Sequence, residues 1–250
     1  MPPRRIPSAP IHPFDKLHGT DTSGLLPGAT IAEGTGIVAE DLTAYYGVAP
    51  SILRAVVDLW LRECSPAQSI EQTVFLDVGA GKGRAMLLAS QHPFLRVEGI
   101  ELNPQLASIA EANIRLWNAD PAADSIAPIV LRQGDATRLA LPPEPTLAYL
   151  FHPFEAKLLR RFLRHIATSV REHPRPFDLI YVNAEHDSLL DSDRGLRRLW
   201  FGRVPMSTAD HLADLEAIAQ QKEYGSTGDE ICAIYRCLSP NLVTNRTRGR

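Results

Sequence analysis

The sequence predicts an α/β fold with a mostly parallel sheet and helices on both of its faces. Three observations carry this. Short apolar, β-branched runs alternate with helix-length segments between about residues 73 and 183. The first run leads into a glycine-rich turn, Val74-Phe75-Leu76-Asp77-Val78-Gly79-Ala80-Gly81-Lys82-Gly83-Arg84. A second run, Val97-Glu98-Gly99-Ile100-Glu101, ends in an acid about twenty residues after the first glycine. Strands that alternate with helices imply parallel pairing through right-handed crossovers.

The elements follow in order. Residues 1–13 carry five prolines and little apolar periodicity, so they read as a mobile leader. Phe14 to Gly36 is rich in Gly, Thr, Asp and Ser around Asp21-Thr22-Ser23-Gly24, too polar for a core element and of the kind that folds over a ligand as a lid. Leu42 to Glu63 reads as the approach to a helix and the helix itself. Pro50 and Ser51 start it, and Ile52, Leu53, Val56, Val57, Leu59 and Trp60 form its apolar stripe. Residues 14–66 are therefore a cover segment with its helix, 67–240 the α/β domain, and 241–250 a fraying tail containing Arg246, Arg248 and Arg250. Strands are expected near 73–78, 96–101, 128–133, 146–151 and 177–183, and helices near 83–92, 104–118 and 155–172. Asn103 caps the second of these helices, with Pro104 in its first turn.

Composition narrows the function classes. With 250 residues and 44% hydrophobic content the chain can bury one substantial core. A net charge of -3 and a pI near 6.2 give no clear nucleic-acid signal, and Arg160, Arg161 and Arg164 read as a solvated helix face. Cys64, Cys232 and Cys237 lack metal-ligand spacing and read as reduced structural thiols. No run approaches the roughly 18 apolar residues of a membrane span. The start lacks a signal peptide's apolar segment, which leaves the cytoplasm as the expected compartment.

Glycines at alternate positions let a backbone turn where a Cβ would obstruct a ligand, and the helix that follows offers free N–H groups. The dinucleotide fingerprint places a small residue where Arg84 stands, so a pyrophosphate turn fits poorly. The Gly-x-Gly-x-Gly spacing, with Asp77 two residues before it, resembles motif I of the class I S-adenosylmethionine-dependent methyltransferases. That resemblance implies a Rossmann-like seven-stranded sheet ending in an antiparallel hairpin, here Trp200–Val204 and Ile231–Leu238 with a helix from about Asp210 to Glu223 between them. It implies S-adenosylmethionine as cofactor and S-adenosylhomocysteine as product. Asp77 would lie near the cofactor's amino-acid part, Glu101 with Leu102 at the ribose hydroxyls, and Gly79, Ala80, Gly81 and Gly83 along the wall. In Ile129 to Ala136 the resemblance continues through the third strand. Asp135 would accept from the adenine amine with Ala136 beside it, although a Gly-Asp pair is also ordinary turn chemistry. Leu147 to Phe154 would deliver Phe151 and the following motif to the transfer site.

The chain resembles, more narrowly, a bacterial branch of that family with an Asp-Thr-Ser-Gly loop, a Tyr-x-x-x-Pro helix start and an Asn-Pro-Phe motif. Here these are Asp21-Thr22-Ser23-Gly24, Tyr46 to Pro50 and His152-Pro153-Phe154, and the match spans about residues 14 to 238. His152 stands where the branch has asparagine; it can take a proton near neutral pH or only position the acceptor. Tyr46 and His152 are the candidate catalytic residues, with Tyr45, Phe151 and Phe154 as further aromatic walls. The acceptor is an N, O or C nucleophile on a small molecule or a protein. The Tyr-x-x-x-Pro start and the Gly-Lys-Gly-Arg loop also resemble seven-strand protein lysine methyltransferases, which admits a protein lysine. His186-Asp187 is a weaker acid/base pair that reads as surface loop, and His12, His18 and His165 show no metal-ligand arrangement, so no metal is expected. An NAD-dependent oxidoreductase and a noncatalytic S-adenosylmethionine-binding protein are the alternatives.

Overall fold

A computed structural model describes residues 11–218 and 228–238 of the chain. Pro13 opens α1 (Pro13–His18), where His12 Nδ1 accepts from the Phe14 N–H at 3.0 Å. The leader expected over 1–13 is thus too long at its end: His12 is buried, and Pro13 is already helical. Its remainder, 1–10, lies outside the described residues, as does the tail from 241. β1 (Leu25–Leu26), α2 (Gly28–Ala32) and β2 (Tyr45–Tyr46) follow, with β1 and β2 antiparallel. α3 (Pro50–Glu63) begins at the expected proline and buries Ile52, Leu53, Val56, Val57 and Trp60.

The alternation then runs β3 (Val74–Val78), α4 (Arg84–Ala89), β4 (Arg96–Glu101), α5 (Pro104–Ala119), β5 (Ile129–Gln133), β6 (Thr146–Phe151), α6 (Ala156–Glu172), β7 (Phe177–Val182), α7 (Asp187–Asp191), β8 (Leu196–Val204), α8 (Thr208–Ile218) and β9 (Glu230–Cys237). Seven strands form one sheet in the order β5-β4-β3-β6-β7-β9-β8. The first five are mutually parallel, while β9 runs antiparallel to both β7 and β8. This is the expected mostly parallel sheet with its antiparallel hairpin.

Most boundaries fall within a residue of expectation, and three differ by two or more. β8 starts at Leu196, because an edge strand tolerates the exposed Arg197 and Arg198 that hide it from a search for apolar runs. α4 stops at Ala89, where the Ser90 hydroxyl turns back to donate to the Leu87 carbonyl at 2.7 Å. α8 begins at Thr208, and the stretch expected to continue it to Glu223 falls outside the described residues after Ile218.

The central strands are buried on both faces, as parallel strands between two helical layers must be. Phe75, Leu147, Tyr149 and Ile180 meet α3 and α4 through Leu53, Val56, Trp60 and Met86. Leu76, Ala148, Leu150 and Leu179 meet α6 through Leu159, Phe162 and Ile166. All three cysteines are free. Among the described residues no helix is long and apolar enough to cross a membrane. Chain order reverses at β3, which has β4 on one side and β6 on the other, and a crevice opens beyond the carboxyl ends of strands at such a point.

Candidate functional site

A cavity of about 890 Å3, mouth included, occupies that crevice. The sheet contributes Asp77, Gly79, Ala80, Gly81, Glu101, Leu102, Asp135, Ala136, Tyr149 and Phe151. The N-terminal segment contributes Ile31, Ile37, Leu42, Tyr45 and Tyr46, so it closes the other side.

The glycine turn has this shape because two of its positions admit no side chain. At Gly81 (φ +56°) a Cβ would stand 2.2 Å from Tyr45 Cε2, and at Gly79 (φ +77°) one would meet Pro153 Cβ at 2.8 Å. Glu101 fixes the turn to the neighbouring strand. Its Oε2 accepts from the Gly81 N–H and its Oε1 from the Asn103 N–H, each at 2.7 Å. Gly83 departs from the wall assignment. It precedes α4 at φ +90°, with Ala110 Cβ 3.3 Å from where its own Cβ would be, and does not line the cavity.

Asp77 and Tyr149 are register partners on β3 and β6, and both face the cavity. Asp77 Oδ2 and the Tyr149 hydroxyl are buried without a hydrogen-bond partner among the described residues. Buried polar groups are nearly always paired, so two orphans side by side mark a place where a polar ligand supplies the missing contacts. Burial, and secondarily the Glu101 carboxylate, raises the Asp77 pKa to about 8. Burial also raises that of Glu101, against the opposing pull of its backbone N–H donors. Those donors stabilise the Glu101 carboxylate, whereas Asp77 Oδ2 has no such donor among the described residues.

Arg84, the residue that spoils the dinucleotide fingerprint, is 4% exposed and holds the cover in place. Its Nε donates to Thr22 Oγ1 at 2.7 Å and its Nη1 to the Gly47 carbonyl at 3.1 Å, and its Nη2 lies 3.7 Å from Asp15 Oδ2. Asp15 in turn accepts from Thr20 Oγ1 at 2.6 Å, from the Thr22 N–H at 2.9 Å and from the Ser23 hydroxyl. Those bonds and the cation nearby hold its carboxyl below the usual range despite burial. Lys82 Nζ, within the glycine turn, donates to Asp21 Oδ1 and to the Ser23 carbonyl, each at 2.7 Å. Asn113 on α5 brackets Asp21 from the other side, donating to its carbonyl and accepting from its N–H. The polar Asp-Thr-Ser-Gly loop is therefore fixed directly to the glycine turn. Nor is the whole segment too polar for a core: Phe14 is buried and stacks on Trp117 at 5.5 Å.

The remaining expected residues separate into two groups. Leu102, Asp135, Ala136, Phe151 and Tyr46 line the cavity. Asp135 does so with its carboxylate engaged: Oδ1 accepts from the Thr137 N–H at 2.8 Å and from its hydroxyl at 2.6 Å, the turn chemistry weighed from sequence. The Tyr46 hydroxyl donates to Asp214 Oδ1 at 2.6 Å. His152 is not part of the lining, although Phe151 and Pro153 on either side of it are. Its carbonyl accepts from Thr43 Oγ1, and its ring turns behind the wall to Tyr181 Oη, 2.7 Å from Nδ1. His186 is not a free surface loop. Half-buried, it places Nε2 3.0 Å from Glu155 Oε2, with its ring 5.3 Å from that of His152. These three are also the group of potential metal ligands among the described residues, where the sequence led us to expect no metal.

Reading from sequence missed Tyr149, Arg84 as an anchor, Asp214, and the apolar cover residues Ile31, Ile37 and Leu42. The signal for Arg84 was its place beside three glycines; the others look like ordinary core or surface.

No family model matches the chain, and no curated protein does. Among solved structures the chain is similar to TrmN from Thermus thermophilus (14% identity over 76% of this chain and 49% of that one, TM-score 0.48). It is also similar to a putative RNA methyltransferase from Pyrococcus horikoshii (12% identity, 76% and 81%, TM-score 0.48). A third is the rRNA methyltransferase aviRa from Streptomyces viridochromogenes (11% identity, 77% and 86%, TM-score 0.47). The chain thus spans about half the length of the first. At these identities the functional reading rests on the cavity itself.

Proposed function

We propose that the protein is an S-adenosylmethionine-dependent methyltransferase acting on an N, O or C nucleophile of a small-molecule or protein acceptor. One observation carries this reading: Asp77 Oδ2 and the Tyr149 hydroxyl are buried, adjacent and without a hydrogen-bond partner among the described residues, in a cavity walled by side-chain-free glycines. A buried carboxylate whose proton is held only by lack of a partner suits a cationic ligand, which would supply both the charge and the donors.

Bound S-adenosylmethionine supplies a methyl group already attached to an excellent leaving group. Asp77 is assigned to its ammonium and Glu101 to its ribose hydroxyls, with Gly79, Ala80 and Gly81 as the wall between. At the adenine end Asp135, tied to Thr137, orders the turn that carries Ala136. The acceptor is assigned to the space under Ile37, Leu42, Tyr46 and Phe154. The protein's task there is to align the nucleophile and exclude water, and no strong base is needed. Tyr46 positions the acceptor. His152, whose ring faces away, contributes by fixing the Phe151–Pro153 wall.

Calorimetric titration of the full chain tests the reading. S-adenosylmethionine and S-adenosylhomocysteine should bind with one-to-one stoichiometry and NAD should not, and labelled methyl groups should appear in a cell-extract component. NAD binding as tight as that of S-adenosylmethionine would overturn it in favour of an oxidoreductase. Binding without any label transfer would leave a noncatalytic binding protein.

A further inference from the structure

We infer that His152, Glu155 and His186 form a binding site for a divalent transition-metal ion behind the cavity wall. The inference stands independently of the methyl-transfer reading. The three residues lie beyond the carboxyl ends of the adjacent parallel strands β6 and β7: His152 follows β6, Glu155 caps α6 and His186 precedes α7. One donor atom from each falls within 4.8 Å of the others, and His186 Nε2 and Glu155 Oε2 are only 3.0 Å apart. Ligands at about 2.1 Å around a tetrahedral ion lie about 3.4 Å from one another. The donor atoms must therefore close by at most about 1.4 Å, a shift on the scale of side-chain adjustment.

His152 is prepared as a ligand. Its side chain is 8% exposed, and Tyr181 Oη at 2.7 Å from Nδ1 holds the ring by that nitrogen, which leaves Nε2 to face a metal. Outer partners of this kind set the tautomer and orientation of metal-binding histidines. Nε2 itself approaches Glu185 Oε2 at 3.6 Å, too far for a hydrogen bond, so its direct contact is left open. Among the described residues no lysine or arginine is ion-paired with Glu155 or Glu185, so the carboxylates face the two imidazoles without a cation between them. Two imidazoles with one or two carboxylates suit zinc or cobalt, whereas magnesium and calcium prefer oxygen alone.

Full-length protein is stripped with a chelator, dialysed and titrated with Co2+ alone, followed by visible absorption. The expected result is one equivalent of Co2+ with the intense bands of four- or five-coordination, displaced by Zn2+ and not by Mg2+. His186→Ala and Glu155→Gln should each weaken binding at least tenfold with unchanged circular dichroism. Tyr181→Phe should weaken it by about tenfold, as loss of an outer partner does. The exposed His173→Ala should have no effect. Failure to bind stoichiometrically, displacement by Mg2+, or affinity that survives His186→Ala or falls equally with His173→Ala would overturn the site.

Discussion

The two walls of the cavity are built by opposite means. On the sheet side the shape comes from backbone: parallel register, two glycines at positive φ and one carboxylate gripping the turn's N–H. The cover has little regular structure, with β1 and β2 of two residues each, and its shape comes from side chains knotted around Arg84 and Asp15. The knot joins residues some 60 positions apart, so the cover exists only because the glycine turn is already in place. One wall is a consequence of chain pattern, the other of a buried charge cluster, and they should fail differently.

The largest effect is expected at the joint. Arg84→Ala leaves Asp15 buried without its cation, and breaking a buried pair costs about 3–5 kcal/mol. Chemical denaturation should show that loss, with protease cleavage between residues 19 and 47 preceding global unfolding. If cleavage and unfolding coincide, the cover is not a separable layer. Gly81→Ala attacks both walls at once: a Cβ at φ +56° is strained and strikes the Tyr45 ring, for about 3 kcal/mol together. It should abolish S-adenosylmethionine binding in calorimetry while the β-sheet circular dichroism survives. Retained affinity would mean that Tyr45 swings away freely.

The contrast also explains what could be read in the sequence. Apolar runs, Asn103 as a cap and the glycine turn are local signals, so the strands β3 to β7 and the lining residues Asp77, Glu101 and Ala136 were legible. The Asp-Thr-Ser-Gly loop was visible, but not its docking, because Asp21 meets Asn113 across 92 positions. Tyr149 was hidden inside a strand that reads as uniform core. His152 has an acid/base-capable side chain in the expected motif, yet the direction of its ring is set by Tyr181 on another strand.

A smaller effect separates the walls electrostatically. Folded Asp77 keeps its proton up to about pH 8, whereas the unfolded carboxyl loses it near pH 4. Between those values the folded state binds the extra proton, so Asp77 lowers stability progressively as pH rises, and the loss levels off above about 8. Asp77→Asn should therefore melt higher than the parent at pH 8, by a smaller margin at pH 5, and indistinguishably only below about pH 4, where the unfolded carboxyl is also protonated. Binding of a cation to the ionised carboxylate has the opposite slope: S-adenosylmethionine affinity should rise toward tenfold per pH unit between about 5.5 and 7.5, and be flat and weaker in Asp77→Asn. A parent affinity without pH dependence would remove Asp77 from the ammonium site.

The smallest expected change concerns Tyr46, where the cover touches both cavity and α8. Its hydroxyl donates to Asp214, which is 1% exposed and whose other oxygen has no hydrogen-bond partner among the described residues. Burial already raises the Asp214 pKa, and the Tyr46 hydrogen bond works against that rise. Tyr46→Phe should cost about 1 kcal/mol, or roughly 2–4 °C in Tm. Because the ring remains against the acceptor space, methyl transfer into extract should fall less than twofold. Tyr46→Ala removes the ring as well, and its loss of transfer should exceed what its stability loss explains. Proportional losses in the two variants would make Tyr46 a packing residue, and the cover would then contribute closure to the cavity without contributing to alignment.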